Sequence, residues 1–278
     1  PKQTNKDLIN AFYNRSDNQI TGLEVNGIGI QFGGVKAAQN VSFHAKLGKV
    51  TSIIGPNGAG KTTVLNMISG FYQPDQGSIN LGEQLAGQGA YKIARSGISR
   101  TYQTSQLFDD MSVIENLLSA MQKGQLGQLF QSEKKGQKEL ALNLLSFVGY
   151  QGSIHTPTQD LPHVDRRLVE IARSLASQPR VLLLDEPAAG LSREDTDKLA
   201  KLLAAIAEFG IAVILVEHDM PLVMSVSDHI LVLDAGQPIA SGAPEEIKNN
   251  QRVIAAYLGG TEYQAQPRKA PWQGAKDA

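Results

Sequence analysis

The chain has 278 residues, room for one large domain or two small ones. Lys and Arg total 26 against 27 Asp and Glu, a net charge of -1, which excludes the strongly basic surface of a general nucleic-acid binder. A hydrophobic share of 41% with 19% charged residues belongs to a globular chain, and 0 cysteines exclude disulfides and thiolate metal sites, as suits a reducing compartment.

Residues 1–19 are polar, lack an apolar signal core and are expected to form a loosely held arm. Beginning at Pro1 rather than Met fits loss of an initiator Met, trimming, or excision from a longer polypeptide. From Ile20 to Val50 the pattern is strand-like: LEVNGIGIQF alternates, and Gly33-Gly34 marks a turn. VTSII (50–54) is a short apolar run that ends in the glycines of 55–60, and KTTVLNMIS then reads as a helix with Gly70 at C′. Residues 71–103 are turn-rich, with short strands expected around one helix. Residues 112–148 read as helical, with VIENLLSAM and KELALNLLSFV flanking a Gly/Gln-rich connection. RRLVEIARSLA (166–176) is a further amphipathic helix, and VLLL (181–184) is a buried strand by its continuous apolarity. SREDTDKLAKLLAAIAEFG follows as a helix, with Ser192 and Asp195 in capping-box spacing and Gly210 at its end. IAVILV and HILVL are strands, DAGQ (234–237) is a hairpin turn, PEEIKNNQRVIAAYL is the last helix, and a polar tail runs from 259 to 278. The longest apolar run, Ile211 to Val216, stops at Glu217, far short of the roughly 18 residues of a membrane helix. Strands alternating with helices predict a parallel α/β core, interrupted by a helical subdomain.

GPNGAGKT, Gly55 to Thr62, matches the phosphate-loop pattern GxxxxGK[ST]. Backbone N–H groups of Gly55, Asn57, Gly58, Ala59 and Gly60 can curl into an anion nest, in which Pro56 contributes only its fixed backbone and to which the following helix adds its positive end near Thr63. Lys61 brings a point charge to the β- and γ-phosphates, and the Thr62 hydroxyl suits Mg²⁺. VLLLDEP (181–187) supplies the complementary half: Asp185 ends a buried strand where it can hold Mg²⁺ through water. Glu186 follows, a carboxylate able to orient or deprotonate the attacking water. Alone, an acidic pair of this kind is ordinarily a solvated strand end; the phosphate loop upstream reverses that reading.

With these motifs the chain resembles the nucleotide-binding subunit of an ATP-binding cassette (ABC) transporter, over about residues 20–258. The resemblance implies an α/β P-loop NTPase (RecA-like) core, an antiparallel β subdomain and a helical subdomain over about 104–176. It implies bound ATP and Mg²⁺, ATP hydrolysis coupled to transport, and a peripheral place on the cytoplasmic side of the cell (inner) membrane. It places Gln103 of RTYQ at the glutamine that meets Mg²⁺ and water and senses the permease, and His218 of LVEHD at the γ-phosphate. It places Phe32 of FGG against adenine and PAAGLS (187–192) in the loop that crosses to a dimer partner. The stretches QFGGVKAAQNVSF, SRTYQTSQLF, LVEIARSLASQPRVLLLDEPAAGL and VIAAYLGG are similar to branched-chain amino-acid and urea importer ATPases. The expected partners are a permease subunit or fused permease domain and a second cassette, with no nucleic acid. A soluble ABC ATPase and a poorly hydrolysing regulatory cassette are the competing readings.

One segment departs from the family. The signature, LSGGQ-like in relatives of this kind, reads LPHVD, Leu161 to Asp165. Pro162 has neither hydroxyl nor N–H, His163 and Val164 add side chains where backbone must approach, and Asp165 puts negative charge at a helix start. The phosphate-loop half is complete, so the expected second cassette is a different chain that supplies an intact signature.

Overall fold

The computed structural model describes residues 12–13, 20–102, 106–121 and 133–258. Nine strands form two sheets among the described residues. The first sheet joins β1 (Gly22–Phe32), β2 (Val35–Lys46) and β4 (Gln76–Asn80) in the antiparallel order β2-β1-β4. The second has the order β5-β6-β7-β3-β8-β9, built from β5 (Ile98–Arg100), β6 (Val181–Asp185), β7 (Ala212–Val216), β3 (Val50–Ile54), β8 (His229–Asp234) and β9 (Gln237–Gly242). Its ladders are parallel except the last, where Ala235 (φ 46) and Gly236 (φ 79) give the tight left-handed turn that folds β9 back on β8.

Every residue of β3, β6 and β7 is buried, as expected of strands covered on both faces. On one face lies helix α1 (Lys61–Ile68), whose Val64, Leu65, Met67 and Ile68 pack between the two sheets against Ile53, Leu183 and Ile214. On the other lie α3 (Val113–Met121), α4 (Glu133–Val148), α5 (His163–Ala176) and α6 (Arg193–Glu208), which follow the short α2 (Ala90–Arg95) in the chain and share one core with Leu182, Leu184 and Leu215. Burying one large aliphatic side chain in such a core contributes about 1.5–3 kcal/mol, so the sheet is held from both sides. A third cluster joins Ile54, Val232 and Ile247 with α7 (Met220–Val226), α8 (Pro244–Lys248) and α9 (Gln251–Leu258). None of the described helices is long and apolar enough to cross a membrane.

Local signals set the helix ends. Gly70 (φ 74) follows α1, and the Ser192 hydroxyl accepts from the Asp195 N–H at the start of α6. Ser112 and Glu115 form a reciprocal capping box that opens α3.

Two expectations change. The segment PEEIKNNQRVIAAYL is two helices, because Asn250 turns its side chain to cap α9, accepting from the N–H groups of Arg252 and Val253. The stretch 1–19 is not loose throughout: Tyr13 is buried, donates its hydroxyl to the Leu175 carbonyl and stacks on Phe209. The Gly/Gln-rich connection at 122–132 and the tail at 259–278 lie outside the described residues.

Candidate active site

The strands β3, β6 and β7 run parallel, so their carboxyl ends open at one edge of the sheet. That edge is where open α/β sheets bind ligands. It carries Gly55 after β3, Asp185 and Glu186 at the end of β6, and Glu217 and His218 after β7.

The loop from Gly55 to Gly60 can close only with glycine at its two tightest points. Gly55 (φ 153) would place a Cβ 2.1 Å from the Leu233 carbonyl oxygen, and Gly60 (φ 94) one 2.4 Å from that of Ala37. The Ala37 carbonyl belongs to β2, so the β1–β2 hairpin that carries Phe32 lies close against the loop. Asn57, Gly58 and Thr62 are exposed, Pro56, Gly60 and Thr63 half-buried, and Ala59 and Lys61 buried. The Lys61 ammonium donates to the carbonyls of Gly55 (2.8 Å) and Pro56 (3.0 Å). Burial lowers its pKa, and the charges of Glu186 and Asp185 offset part of that shift.

Asp185 is buried in an ion pair with Arg100 at 2.9 Å. Arg100 also donates to the Asn66 side chain (2.6 Å) and Ser69 hydroxyl (3.0 Å) and lies over the Tyr102 ring at 4.7 Å. Removing one partner of such a pair costs about 3–5 kcal/mol, so Arg100 fixes the carboxylate at the end of β6. Glu186 takes a left-handed backbone (φ 49) and puts Oε1 3.8 Å from His218 Nδ1. Glu217, fully buried, accepts from the N–H groups of Ala188 (2.7 Å) and His218 (3.1 Å). It thereby ties the loop of 187–192 to the turn that carries His218. Burial pushes the Glu217 carboxyl up and these N–H bonds pull it back. Sequence alone does not single out Arg100 or Glu217; the position of Glu217, the charge that ends the longest apolar run, is the available signal.

Phe32 is 44% exposed, its ring edge-on to Tyr72 at 5.1 Å, so it is a surface aromatic and not a core one. Stacking of a base on such a ring is worth about 1–3 kcal/mol and reads a face rather than an edge. Phe32→Ala is therefore expected to weaken ATP binding about tenfold, with GTP competing within roughly tenfold in the wild type; equilibrium titration decides, and an unchanged ATP affinity would remove Phe32 from the site.

Gln103 lies outside the described residues. Its flanks are held by α5: Arg167 donates to the Tyr102 carbonyl (3.1 Å), Glu170 accepts from the Gln106 N–H (3.0 Å), and Arg173 donates to the Gln106 carbonyl (2.7 Å). The same helix begins in LPHVD. Pro162 is its N-cap without a side-chain bond, Asp165 stands in the first turn, and the His163 ring is exposed beside Gly190.

A family profile described as "ABC transporter" matches residues 38–189. The chain belongs to the ABC transporter family. A second profile, "Branched-chain amino acid ATP-binding cassette transporter", matches residues 237–263 of this cassette. The cassette is 44% identical over 248 residues to the high-affinity branched-chain amino acid transport ATP-binding protein BraF of Pseudomonas aeruginosa, covering 85% of this chain and 97% of that protein. It is 43% identical over the same span and shares to the protein LivG of Escherichia coli K12. Among solved structures, a nucleotide-free cassette of an ABC transporter is 30% identical with a TM-score of 0.76, over 86% of this chain and 100% of that one. An ADP-bound conformation of such a cassette gives 30% and 0.77, over 87% and 100%.

Proposed function

We propose that this cassette binds ATP with Mg²⁺ and hydrolyses it to drive uptake of branched-chain amino acids through a membrane permease, from the cytoplasmic face of the membrane. The convergence of Lys61, Asp185, Glu186 and His218 at one sheet edge supports the chemistry most directly. The near end-to-end match with BraF and LivG supports the cargo and favours transport over a soluble ATPase.

In this reading the N–H groups of Gly55 and of Asn57 to Thr63 hold the phosphates, and Lys61 turns from its two carbonyls to the β- and γ-phosphates. Thr62 and Asp185 offer the hard oxygen donors that suit Mg²⁺, which supplies charge to the phosphate oxygens when bound. Glu186 takes the proton of the attacking water as its oxygen bonds to the γ-phosphorus and the bond to ADP breaks. His218 donates to the γ-phosphate, and Phe32 stacks on adenine.

A helix of the permease is the occupant we assign to the groove of about 770 Å³ between the strand and helical layers, walled by Phe71, Ile98, Arg100, Tyr102, Phe108 and Arg173. Phe71 and Phe108 are exposed there, and Arg100 in the groove wall is paired with Asp185, which supports a reading in which docking is felt at the catalytic edge.

Co-expression with the permease and a second cassette, followed by native mass spectrometry and reconstitution, tests the reading. ATP hydrolysis is expected to rise when leucine, isoleucine or valine is supplied with the cognate binding protein. Stimulation by a sugar instead would reject the cargo; no binding of ATP would reject the chemistry.

A further inference from the structure

Phe32 stands at the end of a strand that its own sheet grips on one side. It closes β1, pairs with Val35 of β2, and is followed by the two-residue tip Gly33 (φ 51) and Gly34 (φ 88). Glycine gives such a tip wide backbone freedom. On the other side the ladder from β1 to β4 stops at Gly29, short of Phe32. A half-exposed ring at such a place needs a further contact to hold one orientation.

The stretch that follows α1 supplies it. Asp75 donates its N–H to the Gly29 carbonyl and accepts from the Gln31 N–H through Oδ2, both at 2.8 Å. Tyr72 sets its ring against Phe32, with centroids 5.1 Å apart and planes at 63°. Tyr72 is itself anchored: it packs on the core between the two sheets, and its N–H donates to the Asn66 carbonyl of α1 at 3.0 Å. One run of chain, 61–75, therefore starts with the lysine of the phosphate loop and ends gripping the strand that carries Phe32. ATP spans both points. Its base gains most from a ring already held at the right distance and tilt from the phosphates, because ordering that ring on binding would cost affinity.

We propose that Tyr72 is a positioning residue for base binding: its ring sets the orientation of Phe32 and registers it to the phosphate loop through α1. The inference rests on the reading of Phe32 as the adenine platform. Tyr72 need not touch the nucleotide, and it acts through the orientation preference of an edge-on aromatic pair.

Equilibrium titration of the full chain with a ribose-labelled fluorescent ATP tests the role. Tyr72→Leu keeps an apolar side chain and removes the ring, and affinity is expected to fall about threefold, the scale of one aromatic pair. Tyr72→Phe keeps the ring and should restore wild-type affinity. In a Phe32→Ala background Tyr72→Leu should cost nothing further, since no ring is left to position. Competition by inorganic tripolyphosphate, which has no base, should be the same in wild type and Tyr72→Leu. If Tyr72→Leu does not fold, Tyr72→Met, whose flexible chain fills the same gap, replaces it. Wild-type ATP affinity in the variant without the ring overturns the proposal, as does failure of Tyr72→Phe to restore it. A loss of equal size in the Phe32→Ala background also overturns it, because Tyr72 would then act as packing and not through Phe32. A parallel loss of tripolyphosphate binding does the same by placing the effect in the phosphate loop. Unchanged ATP affinity in Phe32→Ala alone instead rejects the adenine platform, and the inference with it.

Discussion

Glu186→Gln in the assembled transporter is expected to lower ATP turnover by about 10²-fold or more, the contribution of a general base, while nucleotide still binds. The backbone supports this expectation. A non-glycine residue at positive φ costs on the order of 1–3 kcal/mol and persists only where its surroundings impose it. Here they do: the Glu186 N–H donates to the Val216 carbonyl at 2.9 Å and its own carbonyl accepts from Ala189 at 3.2 Å. The turn aims the side chain away from β6 toward His218, leaving it 22% exposed at the sheet edge. Gln has the same shape and keeps those backbone bonds, so the variant should fold and bind, yet its amide cannot take a proton from water. Lys61→Ala is the contrast, because it removes the cation that faces the phosphates and should weaken binding itself. Equilibrium binding and single-turnover hydrolysis together separate the two losses. A Glu186→Gln complex that turns over like wild type would strip that carboxylate of its role.

Much of this site could be read from the chain because its chemistry is local in sequence. GPNGAGKT carries its own turn, cation and helix start within eight residues, and VLLLDE joins a buried strand to its acidic end. The central strands were legible for the same reason: covered on both faces, they have no polar alternation to obscure them. Contacts between distant positions were not legible. Arg100 and Asp185 are 85 residues apart, and no periodicity links a short edge strand to the end of its neighbour. Glu217 reads as the charge that ends an apolar run, and only the fold brings Ala188 to it. Tyr13 sits in a segment whose composition is polar, and its burial depends on surfaces built elsewhere. The break at Asn249-Asn250 was hidden because asparagine is tolerated within helices as well as at their caps.

The signature segment leads to the other large effect. In a cassette dimer each ATP is enclosed by one subunit's phosphate loop and the other subunit's signature. This chain presents Pro162 as the N-cap of α5, a position that offers neither hydroxyl nor N–H to an anion. Asp165 fills the first turn with negative charge, favourable to the helix and repulsive to a γ-phosphate. Val164 puts a side chain where glycine would allow backbone to close in. A dimer of two such chains would carry this weakness at both sites. Paired with a different cassette, Lys61, Asp185 and Glu186 of this chain can face an intact signature, and only the partner's phosphate loop faces LPHVD. Catalysis should then be asymmetric: Glu186→Gln here stops transport, whereas the matching change in the other cassette is milder. Pro162→Ser and Asp165→Gln should change turnover only modestly, because the site they border is the lesser one. Transport assays on both single variants, with the subunits counted by native mass spectrometry, test this arrangement. A native complex holding two copies of this cassette and no other, yet hydrolysing ATP at the rate of cassettes with intact signatures, would defeat it.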